Sequence, residues 1–158
     1  MRIRHTTLTI AVAALALTAC STSDSGTETH ETTVTTSTGP KTTGLTAEQA
    51  AAELAEATGV TTLGNPTDNT GSCSDEAAGK DPRPNDCSQL ITTDTVSIYE
   101  FRTPEIAADW VTTMKKQGDW RQVGRFALAW TARDQGLTSD DRRAELVRTL
   151  KKETADEA

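Results

Sequence analysis

Three cysteines carry most of the covalent chemistry open to this chain: Cys20, which ends the apolar run Leu15-Ala16-Leu17-Thr18-Ala19, and Cys73 and Cys87, which lie in a polar stretch. A thiol is the side chain nucleophilic enough to take up an acyl-bearing group as a thioether, and two thiols can bind a metal or close a disulfide. The two histidines, His5 and His30, both precede residue 45, so the later chain lacks the usual general base, triad centre and commonest metal ligand. The serines show no nucleophile-elbow pattern, and the glycines between Gly64 and Gly79 match neither Walker nor Rossmann spacing. Carboxylates remain. Asp75, Glu76, Asp81 and Asp86 crowd the segment between Cys73 and Cys87, but without the ligand order of an EF-hand they read as a solvated acidic surface. Asp140 and Asp141 suit the positive end of a helix dipole.

The second group is aromatic and basic. Exposed indoles stack on sugar rings, and Trp110, Trp120 and Trp130 invite that reading; Trp110 falls on an apolar stripe, and Trp120 and Trp130 continue strand patterns, which favours packing. Arg121, Arg125, Arg133, Arg142 and Arg143 are interleaved with acids and form no long basic run. Trp120, Arg121 and Arg125 are the candidate surface. A net charge of −7 repels nucleic acid and anionic membrane at long range, which excludes a nucleic-acid partner on electrostatic grounds.

The elements that must position these residues follow from periodicity. Thr46 and Gln49 have capping-box spacing, so a helix with an alanine-rich face runs from there to Gly59. Residues 60–63 read as a short strand, and a polar loop follows from Gly64 to Asp86. SQLIT and TVSIYEF are two strands around Thr93-Asp94, with Val96 and Ile98 on one face and Tyr99 and Phe101 on the other, so both faces need some cover. Thr103 caps and Pro104 opens a second helix whose stripe is Ile106, Ala107, Trp110, Val111 and Met114. WRQVGRFALAWT reads as a hairpin turning at Val123-Gly124-Arg125, and a last helix spans about 139–153. The economical arrangement is α+β: a mostly antiparallel four-stranded sheet with helices packed on one face.

The amino terminus sets the context. Arg2 and Arg4 precede the uncharged apolar stretch TTLTIAVAALAL, the build of a secretory signal. Twelve helical residues cover about 18 Å, short of the roughly 30 Å hydrocarbon slab, so the segment is expected to be cleaved. Leu17-Thr18-Ala19-Cys20 resembles the lipobox of bacterial lipoproteins, which implies diacylglycerol on the Cys20 sulfur and cleavage just before it. Residues 1–19 are then the signal and 20–44 a lipidated, disordered Thr/Ser-rich tether with a reach of roughly 25 to 30 Å. Residues 45–154 form the folded domain and 155–158 a frayed tail. With Cys20 consumed by lipid, Cys73 and Cys87 are left to pair in an oxidising compartment.

DTVSIYEF, the Trp110 helix and WRQVGRFALAWTARDQ together resemble small secreted lipoproteins of actinobacteria. That resemblance implies a location and a fold and carries over no catalytic residue. The expectation is therefore a membrane partner through the Cys20 lipid and a place on the outer face of the cytoplasmic membrane. The domain is expected to be a non-catalytic binding module for a protein or cell-envelope component, with no cofactor and no metal. An inhibitor or immunity-type lipoprotein, reading an enzyme with the 73–87 loop, is the first alternative. A histidine-free hydrolase using two carboxylates is the second.

Overall fold

A computed structural model describes residues 44–155. The expected signal, the lipobox with Cys20, the tether up to residue 43 and the last three residues of the tail lie outside the described residues. Within them the order is α1 (Ala47–Ala57), β1 (Thr67–Asp68), β2 (Gln89–Thr92), β3 (Ser97–Glu100), α2 (Pro104–Met114), β4 (Asp119–Val123), β5 (Phe126–Trp130) and α3 (Asp140–Ala155). The five strands form one antiparallel sheet in the order β1-β2-β3-β5-β4.

Local chemistry explains the ends of α1. Thr46 accepts from the amide of Gln49 while the Gln49 side chain accepts from the Thr46 amide, so two orphan donors are satisfied together. At the other end Gly59, at φ +69°, lets its own amide reach Glu56 O and the amide of Val60 reach Ala55 O. Val60 is thereby part of the helix cap, and this is why residues 60–63 do not form the expected strand. The fifth strand is β1 instead, two residues inside the expected loop, held to β2 through the registers Thr67↔Thr92 and Asp68↔Ile91.

The sheet is covered on both faces, which corrects the expectation of helices on one. Ile91, Ile98, Phe126, Leu128 and Trp130 point toward α1 and α3 and pack with Leu54, Leu146 and Leu150. Leu90, Phe101, Trp120, Ala127 and Ala129 point to the opposite side, where α2 supplies Ala107 and Val111 and the disulfide closes one end. Ala127 and Ala129 are small, so α2 can approach the centre of the sheet closely. Leu54, Ile98, Leu128, Leu146 and Leu150 have no solvent exposure, each worth roughly 1.5–3 kcal/mol of transfer free energy.

Candidate functional site

Cys73 and Cys87 form a disulfide with their Cα atoms 5.5 Å apart. The enclosed loop is organised by Asp86, whose carboxylate accepts from the amides of Asp75 and Arg83, each at 3.0 Å. Those bonds hold the Asp86 carboxyl below its usual range. Asp75 in turn draws in Arg83 at 2.5 Å and Lys80 at 3.7 Å, both with largely exposed side chains. Asp86 therefore braces the loop's backbone, while Asp75 gathers its basic side chains. Ala77 of this loop, Thr46, Ser88 and Glu100 line one shallow depression, so the loop sits at the end of the domain where the chain enters α1.

Of the expected surface of Trp120, Arg121 and Arg125, Trp120 is buried and the two arginines are half-buried. Trp120 is only 4% exposed and stacks at a tilt 5.0 Å from Tyr99. Arg121 lies over the Trp130 ring at 5.2 Å and chelates Asp119 through two bonds of 3.1 and 2.7 Å. Arg143 of α3 lies over the same ring at 5.5 Å and donates to the same Asp119 oxygen, so Trp130 is covered by two cations that share one carboxylate. The Asp119 carboxyl is held low, first by Arg121 and then by Arg143. Arg125 reaches inward. Its guanidinium donates to Glu100 Oε1 at 2.8 Å and to Leu45 O at 2.6 Å, while Glu100 Oε2 accepts from the amide of Ala47 at 2.9 Å. Burial raises the Glu100 carboxyl above its usual value, against the pull of those donors.

Trp110, expected in the core, is half-buried. It forms the common wall of two hollows: one of about 230 Å³ with Cys73, Arg83 and Asp86, and one of about 300 Å³ with Asn85, Ile106 and Met114. The indole N–H groups of Trp110, Trp120 and Trp130 are all buried without a partner, so none is presented to a sugar hydroxyl.

Sequence reasoning missed a concavity beside α1. Between α1 and the segment from Thr61 to Asp68 runs a cleft of about 370 Å³. Its floor is Ala51, Ala55, Leu63 and Ile91, all nearly buried; its rim carries Thr61, Thr62, Thr67, Glu48 and Asp68. The trough exists because α1 has alanine at 51, 52 and 55 where a larger side chain would fill it. Thr93 closes one end and is fixed there. Its carbonyl accepts from Gln135 Nε2 at 2.8 Å, and its hydroxyl donates to Val96 O at 2.8 Å. Asp68 is kept ionised by Thr70, whose hydroxyl and amide both donate to it. The Glu48 carboxylate has no side-chain partner among the described residues. A deficit of side-chain volume leaves no positive mark in a sequence, and only the alanine spacing along α1 hinted at it.

Among the described residues no group of three histidine, cysteine or acidic side chains is placed to hold a metal ion, and no helix is long and apolar enough to cross a membrane. Compared with protein-family models, curated proteins and solved structures, the chain matches none.

Proposed function

We propose that this chain is a lipid-anchored extracytoplasmic binding module, tethered through Cys20 to the outer face of the cytoplasmic membrane and recognising a protein or cell-envelope component. The observation that carries the non-catalytic part is the use made of the buried carboxylates. Glu100 is occupied by Ala47 and Arg125, and Asp86 by Asp75 and Arg83, so both serve as backbone braces. The cleft beside α1 is lined by alanine, threonine and two rim carboxylates, groups suited to holding a ligand in place. The lipid anchor rests on the sequence of residues 17–20 and the secretory signal before it. The disulfide supports it, because structural disulfides persist in oxidising compartments.

An inhibitor or immunity-type role is the second reading. It is favoured by one feature: the disulfide and Asp86 stiffen a loop that displays Lys80 and Arg83, about 70% exposed each, which lowers the ordering cost of binding an enzyme.

Crosslinking in intact cells, followed by capture and quantitative mass spectrometry, tests both. A protein partner recovered with the native chain and lost with Cys73→Ser plus Cys87→Ser supports the loop reading. A partner retained by that variant supports recognition elsewhere on the domain. Recovery of no partner, with turnover of an envelope polymer by the purified chain, would overturn the binding-module reading in favour of the hydrolase.

A further inference from the structure

The cleft beside α1 has an occupant that its chemistry selects. Resting on the binding-module reading, we propose that it receives an extended polypeptide segment of a partner protein, laid along the free edge of β1 with a lysine or arginine side chain between Glu48 and Asp68.

Three observations converge on this occupant. First, the charges lining the cleft are one-sided: Glu48 and Asp68 are carboxylates, no cationic residue lines it, and Asp68 is locked in its ionised form by Thr70. An anionic rim over an apolar floor fits the aliphatic stem and cationic head of lysine or arginine. Second, β1 is an edge strand with one neighbour, β2. Asn69 donates to Leu90 O at 2.9 Å, and the two-residue alternation of an antiparallel ladder then turns the N–H and C=O of Asp68 away from β2, toward the free edge. An incoming strand would take its backbone bonds from the same residue that supplies the carboxylate. Third, the floor is preorganised. Leu63 O accepts from Thr95 at 3.1 Å, Gly64 O from Asp94 at 2.8 Å, and Thr93 is pinned by Gln135, so the 61–68 side of the trough is bonded to the 93–95 turn before any ligand arrives. A small floor of alanine accepts the alternate side chains of a strand and leaves little room for an aromatic ring.

The test uses the full processed chain in detergent micelles. The probe is a fluorescent pool of capped hexapeptides bearing one lysine or arginine among small and β-branched residues, with a matched pool bearing glutamate as control. Anisotropy should show saturable binding of the cationic pool, weakening as salt rises, and none of the acidic pool. Glu48→Gln plus Asp68→Asn should weaken binding by tenfold or more, roughly 1.4 kcal/mol, while the domain stays folded at the assay temperature with a small drop in melting temperature, since the side-chain amide introduced at position 68 keeps an oxygen for Thr70 but loses the charge that Thr70 favours. Ala52→Phe, at an exposed position on the trough wall, should abolish binding by filling it. Equal binding of the two pools, equal binding by the double variant and the native chain, or no binding at all would overturn the assignment. If a partner is captured in cells under any of those results, the binding-module reading stands and recognition lies off this cleft.

Discussion

Arg125 Nη1 lies 2.8 Å from Glu100 Oε1, and this contact ties the start of α1 to the middle of the sheet. The Glu100 side chain is 4% exposed and Arg125 17%, and between them they hold Ala47 N and Leu45 O. The entry of the folded domain is thus fixed by one acid and one base, placed on β3 and on the β4–β5 turn.

Removing one partner strands the other. Arg125→Met should cost about 3 kcal/mol, at the low end for a buried pair because Arg125 keeps some contact with water. Burial already raises the Glu100 carboxyl, so the loss should shrink as the pH falls and Glu100 takes up a proton. Urea denaturation at neutral and acidic pH checks both. A double variant, Glu100→Leu with Arg125→Met, should recover part of the loss.

The disulfide should contribute about 3 kcal/mol, the chain-entropy value for partners 14 residues apart. Reduction, or Cys73→Ser with Cys87→Ser, should lower the melting temperature of the domain. An unchanged melting curve would mean that Asp86 and the surrounding backbone bonds hold the loop alone.

The pH dependence has a definite sign at Asp86. Its carboxyl is held below the usual value by amide donors, led by Arg83. Its stabilising contribution is therefore present above the unfolded value of about 3.9 and is lost as the pH falls through the folded value. Asp119 behaves alike, through Arg121. Glu100, raised by burial, acts in the opposite sense: its contribution is present below its unfolded value and is lost as pH rises through its folded one. Asp86→Asn should accordingly be less stable than the native chain at pH 7, and thermal melts of the two should converge as the pH falls through the lowered folded value of Asp86.

Gly64 is required at its position. Its φ is +88°, and a Cβ there would meet Asp94 Cβ at 2.8 Å and Oδ2 at 2.7 Å. Gly64→Ala should destabilise the domain by about 1–3 kcal/mol and loosen the bonded end of the cleft. Hydrogen exchange at the Asp94 amide, which donates to Gly64 O, reports that loosening directly.

What could be read from the chain beforehand was mostly local. The capping box of Thr46 and Gln49, the Thr103–Pro104 start, the Gly124 turn and the Phe126, Leu128, Trp130 face are short-range signals, and each stands where it was expected. The alternation of Ile98 against Tyr99 and Phe101 pointed to cover on both faces, and α2 supplies the second layer. Non-local features were not legible. β1 is two exposed residues with no alternation of their own and exists only because β2 pairs with it. The strand pattern favoured packing for Trp120, and it is buried against Tyr99, but nothing local foretold that Arg125 would turn in to Glu100, which the fold brings to it. The cleft is a gap left by alanines, defined by distant segments that the sequence does not juxtapose.

The most direct test of the central claim is the intact mass of the chain extracted from the membrane fraction of cells producing it, measured without reduction. The expected species is a polypeptide beginning at Cys20, carrying diacylglycerol on its sulfur, with Cys73 and Cys87 oxidised to one disulfide. Cys20→Ser should then accumulate as the uncleaved, unlipidated chain. A full-length chain with three free thiols in the cytosolic fraction would contradict it.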